Sequence, residues 1–171
     1  MILPVRYYPD PILRRKTDSV DNFTPEYLNS LFQDMIDSME HYEGMGLAST
    51  QVGKVESYFV IKHPELLPDG RIFINPKIVR KEGKITGEEG CLSFPGLWIK
   101  VKRPKIVKLR YQNFEGKIIE EEFTGLLARA VCHETDHLNG VVMIDYLSQV
   151  QRHLLKKELE RISKFYEKSK N

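Results

Sequence analysis

Five consecutive residues, His133-Glu134-Thr135-Asp136-His137, constrain this chain more than any other stretch. Four residues turn an α-helix by about 400° and raise it by about 6 Å, so both imidazoles stack on one face. Two imidazoles so placed can grip one metal ion. The glutamate beside the first can handle protons for water at that ion. On a solvated helix the same residues would be decoration. Here Leu126, Ala130 and His133 share a helical face, so the histidines continue an apolar stripe, where buried imidazoles need partners. Such a helix must sit against a core, and other segments must complete the site.

Helical and strand periodicities divide the rest of the chain. The opening to about Phe23 reads as irregular, with a short turn of helix near Pro9-Asp10-Pro11. Thr24 offers an N-cap, Pro25 suits the first helical position and Glu26 suits the positive dipole end. Leu28, Leu31, Phe32, Met35, Ile36 and Met39 then mark one face of a first helix, with Gly44 as its stop. Six short β segments follow: Ser57 to Lys62, Ile72 to Asn75, Ile78 to Lys81, Trp98 to Lys102, Ile106 to Tyr111 and Lys117 to Phe123. Asn113-Phe114-Glu115-Gly116 predicts a hairpin between the last two. The histidine helix runs from an N-cap at Thr124 to Leu138, closed by Asn139-Gly140, and a third helix from about Ser148 to Lys168. Strands in the middle and helices at both ends give an α+β class with antiparallel sheets. No linker or repeat divides the 171 residues, so one domain, 1–171, is expected.

Composition narrows the function. A net charge of +2 is too small to argue for DNA or general nucleic-acid binding, and no apolar run approaches the length of a membrane span. Met1 to Arg6 carries neither a long apolar stretch nor a cleavage site, so the expected compartment is the cytoplasm. There, Cys91 and Cys132 suit thiol or metal roles better than a disulfide.

Two further segments can reach the histidines. Cys91 lies in Glu88-Glu89-Gly90-Cys91-Leu92-Ser93, read as a bend between strands. One thiolate with two imidazoles leaves a fourth position open, the catalytic pattern of metal sites. Alone, Cys91 would be read as a small buried residue; beside the histidine pair it is read as a ligand. Cys132 is rotated about 100° from His133 and belongs to the core or to the residues behind the ligands. Gly44-Met45-Gly46-Leu47-Ala48-Ser49-Thr50-Gln51, read as a helix end and loop, permits close backbone approach, and Gln51 carries an amide donor. It lacks the lysine of a nucleotide loop.

These three motifs in this order resemble the peptide deformylases, enzymes that remove the N-formyl group from nascent bacterial polypeptides. The family pattern is Gly-x-Gly-Leu-Ala-Ala-x-Gln, Glu-Gly-Cys-Leu-Ser and His-Glu-x-x-His; here it stands at Gly44 to Gln51, Glu89 to Ser93 and His133 to His137. Ser49 departs from the second alanine, Cys132 from the usual glutamine, and Arg129 from an aliphatic residue of some relatives. The resemblance implies sheets packed around a central metal-binding helix. Cys91, His133 and His137 would hold one divalent ion. Fe²⁺ is the implied ion, with Zn²⁺, Ni²⁺ or Co²⁺ as substitutes, although ligand type alone suggests zinc. Glu134 would move protons, while the Leu92 N–H and the Gln51 amide would stabilise the oxyanion. Backbone packed around Gly44 and Gly46 would exclude groups larger than formyl. Helix geometry nominates Leu126, Arg129 and Ala130, with Met45, for the methionine pocket; the Arg129 stem is expected to line it with its head in solvent. The peptide would pair with backbone near Met45 and Gly90, and Glu89 with Arg103 would brace the cysteine segment. The implied partner is an N-formylmethionyl nascent peptide. The C-terminal helix, with Leu147, Leu154, Leu155, Leu159, Ile162 and Tyr166 among lysines and arginines, is read first as docked on the core and second as a ribosome contact.

Three rivals remain at this level. A zinc endopeptidase would take Glu158 or Glu160 as third ligand. A cysteine hydrolase would use Cys91 as nucleophile with His133. A metal-stabilised ribosome-binding module would need no open ligand position.

Overall fold

The computed structural model describes residues 1–171. After a 3₁₀ turn at Pro11–Arg14 come helix α1 (Pro25–His41), strand β1 (Gly46–Ala48), a 3₁₀ turn at Ser49–Val52 and strands β2 (Tyr58–His63) and β3 (Leu67–Glu82). Strands β4 (Ile85–Cys91), β5 (Phe94–Arg103), β6 (Ile106–Gln112) and β7 (Ile118–Thr124) lead into helix α2 (Gly125–Leu138). A 3₁₀ turn at Met143–Tyr146 precedes α3 (Gln149–Leu154) and α4 (Lys156–Ser169). Five strands form an antiparallel sheet in the order β1-β2-β3-β6-β7, and β4-β5 form a separate hairpin.

Strand alternation decides how the layers stack. Phe59, Ile61 and Phe73 join Ala128, Val131 and Cys132 of α2 in one buried cluster. Tyr58, Val60, Ile72 and Ile74 point the other way and join Leu28, Met35, Ile36 and Met39 of α1. A third cluster seats Leu97, Ile99 and Val101 of β5 on Val142, Met143, Ile144 and on Leu159 and Ile162 of α4. Helix α2 therefore runs between the large sheet and the β4–β5 hairpin. It is buried nearly all round, including Ala130, His133, Glu134 and His137, as a helix between two layers must be.

The α+β class and the central helix agree with the sequence. Several local expectations need correction. The segments Ile72 to Asn75 and Ile78 to Lys81 are one strand, β3, with register shifts at Ile74/Lys77 and Ile78/Arg80. Asn75 takes a left-handed φ of 50° there and ties its amide to Val20 and Gln112, so the strand passes Pro76 at a bulge. The Gly44 to Gln51 loop contains β1 and a 3₁₀ turn. The bend assigned to Cys91 is the end of β4, and Leu92-Ser93 is the two-residue turn into β5. Helix α1 stops at His41, and Glu43 rather than Gly44 takes the left-handed position, with φ 59°. The Thr24 and Thr124 side chains cap nothing, although both precede their helices as expected. The C-terminal helix breaks at Leu155, which lets Leu155, Leu159 and Ile162 pack on the third cluster and leaves Leu154 exposed. The predicted Asn113 to Gly116 turn does join β6 to β7, with the Asn113 carboxamide oxygen accepting from the Glu115 and Lys117 N–H groups.

Candidate active site

Three elements meet at one point. Helix α2 presents His133 and His137, β4 ends there in Cys91, and β1 runs alongside with Gly46 against Glu134. The Cys91 Sγ and one ring nitrogen from each histidine all lie within 4.8 Å of one another. The two Nε2 atoms are 3.2 Å apart, and Sγ stands 3.4 Å from the His137 Nε2. Tetrahedral zinc-type bonds of about 2.0–2.1 Å to nitrogen and 2.3 Å to sulfur imply ligand separations of roughly 3.3–3.6 Å. The donor set therefore fits a single ion.

Protonation fits as well. Burial, with His133 nearby, holds His137 far below the usual imidazole range, so it is a neutral donor. Burial opposes charge on His133 too, but its hydrogen bonds to Cys91 and Glu89 outweigh that and favour a cation. A metal ion would take the place of that proton.

Behind the donors lies a buried charge cluster. The Glu89 carboxylate accepts from Arg103 Nε at 2.8 Å and a second Arg103 nitrogen at 2.9 Å, from Arg129 at 2.7 Å, and stands 2.8 Å from the His133 Nδ1. Burial alone would raise its pKa; the hydrogen bonds from Arg103 and His133 reverse this and hold it well below the usual carboxylate range. The expected Glu89–Arg103 pair is present, but it is buried, with Arg103 3% exposed, rather than a surface brace. Arg103 also reaches Asp136 at 2.6 Å.

Arg129 departs from expectation. Its guanidinium turns inward to Glu89, to the Val101 carbonyl at 2.9 Å and to the Ile85 carbonyl at 3.0 Å, instead of reaching solvent. Five residues on, Glu134 is buried, and its Oε2 has no hydrogen-bond partner. Burial pushes its carboxyl up to about 7. A Cβ on Gly46 would stand 2.5 Å from the Glu134 Oε1, and one on Gly44 would stand 2.7 Å from Leu92 Cδ1. At both positions a side chain could enter only by displacing the end of its neighbour, Glu134 or Leu92.

The Gln51 amide nitrogen donates to Cys91 Sγ at 3.3 Å and Ser93 Oγ at 3.1 Å, while its oxygen accepts from the Ala48 N–H at 2.9 Å. A cavity of about 640 Å³ opens over these groups. Gly44, Met45, Gly46, Gln51, Gly90, Cys91, Leu92, Leu126, Arg129, Ala130, His133 and Glu134 all line it; His137 lies behind them, 1% exposed. Tyr7, Tyr42 and Trp98, which sequence reasoning did not single out for the site, line it too. Trp98 is opposite Gly90 in the β4–β5 register, a signal that becomes readable only once β4 is recognised as a strand.

Cys132 faces the large sheet, and burial pushes its thiol up to about 11, which makes it a core residue. Both cysteines are free. Glu158, paired with Arg161, and Glu160 are exposed on α4 and outside the donor cluster, so the endopeptidase ligand set does not form.

A family model described as polypeptide deformylase matches residues 2–153. The chain belongs to that family. Among curated relatives, the peptide deformylase of Thermotoga neapolitana is 43% identical over 162 residues, covering 94% of this chain and 96% of the relative. That of Chromobacterium violaceum is 40% identical over 163 residues, covering 95% and 97%. A solved peptide deformylase from Plasmodium falciparum superposes with TM-score 0.90 at 35% identity, covering 98% of this chain and 99% of the other. Peptide deformylases remove the N-formyl group from nascent peptides, and this chain is an enzyme of that type. Family and cluster together support one metal ion per chain.

Proposed function

We propose that residues 1–171 act as one catalytic domain, in the cytoplasm, with Cys91, His133 and His137 holding one divalent ion that is Fe²⁺ in the cell and replaceable by Ni²⁺, Co²⁺ or Zn²⁺. One thiolate with two imidazoles suits all of these borderline ions. The convergence of those three donors beside a buried, unpartnered Glu134 carries the reading. A bound divalent ion supplies Lewis acidity and brings water's proton loss to about neutral pH. Glu134, poised at about 7 by burial, takes the proton from the attacking water and delivers it to the leaving amine. The Gln51 amide nitrogen and the Leu92 backbone N–H donate to the developing oxyanion; losing one such donor typically costs about 3 kcal/mol. Formate and a free amine result.

Selectivity follows from shape. Gly46 packs against Glu134 and Gly44 against Leu92, and this close packing supports a site sized for a formyl hydrogen that would exclude an acetyl methyl. Leu126, Ala130 and the Arg129 stem receive the methionine side chain, with Met45 opposite. Met45 precedes β1, which is the outer strand of its sheet, and Gly90 lies on β4, which pairs only with β5; an extended peptide adds to these two edges. Lys156, Lys157, Lys164 and Lys168 give α4 an exposed basic face, and we extend the reading to ribosome contact there, tested by salt-sensitive co-sedimentation.

The decisive measurement is formate release from formyl-Met and acetyl-Met peptides by protein prepared without oxygen and loaded with defined metals. Release from the formyl series alone is expected, with Fe²⁺ most active. Cys91→Ala should lose the metal; a variant that keeps it would overturn the ligand assignment.

A further inference from the structure

We infer that Trp98 is a specificity platform for the second residue of the substrate, favouring a bulky apolar or aromatic side chain after formyl-methionine. The inference rests on the peptide reading above, in which an extended chain adds to the open edge of β4. Trp98 on β5 is the cross-strand partner of Gly90 on β4. Its distal ring carbons Cη2, Cζ3 and Cζ2 would lie 2.9–3.0 Å from a Cβ built on Gly90. The indole thus leans from β5 across β4, over the residue that has no side chain, towards the edge that no strand covers. It lines the active-site cavity and is nevertheless 68% exposed.

Strand alternation selects which substrate residue meets it. Paired residues of an antiparallel hairpin point to the same face, and successive residues to opposite faces. Glu89, paired with Ile99, points to α2, where it meets His133 and Arg129. Gly90 and Trp98 therefore face away from α2. An extended peptide with its methionine turned towards Leu126, Arg129 and Ala130 of α2 turns its next side chain to the indole's face. There it would cover part of an aromatic ring that nothing else in the chain covers. Covering a backbone glycine is a structural role for the ring, but that role takes up only one part of it and leaves the rest open to a ligand.

Aromatic pairing of this kind is worth about two- to tenfold in affinity. The test compares formyl-Met-Xaa-amides with Xaa as Phe, Leu, Ala, Lys and Glu. Wild type should turn over the Phe and Leu peptides with a KM about two- to tenfold below that of the Ala peptide. Trp98→Ala should level these values with little change in kcat, and Trp98→Phe should restore much of the difference. A purely structural role would depress all five peptides alike. A preference for Lys or Glu in the wild type would also overturn the inference.

Trp98 is the chain's single tryptophan, so its fluorescence reports binding directly. With turnover blocked by Glu134→Gln, formyl-Met-Phe-amide should shift the emission more than formyl-Met-Ala-amide does. Equal responses would sink the proposal. Failure of wild type to release formate from any of the peptides would instead overturn the function it rests on.

Discussion

At the scale of single residues, the site depends on what surrounds Glu134. Its carboxyl is buried, one oxygen is unpartnered, and the other lies against Gly46. Glu134→Gln should keep the metal, by elemental analysis, while formate release falls by about 10²–10⁴, the usual contribution of a positioned acid or base. Gly46→Ala tests the contact from the other side. A methyl 2.5 Å from Oε1 must displace the carboxylate, so activity should fall at least tenfold with metal content and fold unchanged. Wild-type rates in this variant would show that the carboxylate tolerates a shift. These residues were legible in the sequence because helical spacing fixes His133, Glu134 and His137 without any tertiary information. The orientation of Arg129 was not. Its direction depends on Glu89 and on the carbonyls of Ile85 and Val101, supplied by strands more than twenty residues away.

Among the elements, the β4–β5 hairpin was the hardest to see. Periodicity found β5, where Leu97, Ile99, Val101 and Arg103 alternate inward. It missed β4, whose inward positions are Gly87, filled by the Arg129 guanidinium, and Glu89, whose ligands are charged. An inward face made of glycine and carboxylate has no hydrophobic signature. That same face clamps the hairpin to α2. Removing Glu89 leaves Arg103 buried with only Asp136 and frees the Nδ1 side of His133. Glu89→Ala should cost about 3–5 kcal/mol in urea unfolding, as breaking a buried ion pair does. Metal affinity should fall about 10–100-fold through loss of the imidazole's orienting partner. Near-native stability would mean that Asp136 alone satisfies Arg103.

For the molecule as a whole, the donors bridge two parts that Glu89 and Arg129 already clamp together: Cys91 belongs to the hairpin and the third cluster, the histidines to the helix on the large sheet. An ion bound there ties the two layers only when both are folded. Stripping it should lower the melting temperature, since a ligand at a hundred times its Kd stabilises by about 2.7 kcal/mol. For a chain of this size that is roughly 5–10 °C in calorimetry. Adding metal back should restore the wild type and leave Cys91→Ala unmoved; equal melting with and without metal would show that the layers hold without it. The class and the sequence of elements were readable from periodicity. The separation into a large sheet and a hairpin was not, because pairing partners such as Gly90 and Trp98 are chosen by the fold rather than by any local pattern.

The uncovered side of β4 has a further consequence. Backbone groups left without a neighbour invite edge-to-edge polymerisation, the ordinary hazard of such strands. Here the strand is seven residues long, ends inside a cleft and carries the exposed Glu88. Two folded copies approaching edge to edge would bring their Glu88 carboxylates towards one another, a charged-edge device against such pairing. In the binding mode proposed above, the extended N-terminus of a single peptide would meet no such obstacle, so one short edge would both discourage self-pairing and accept substrate.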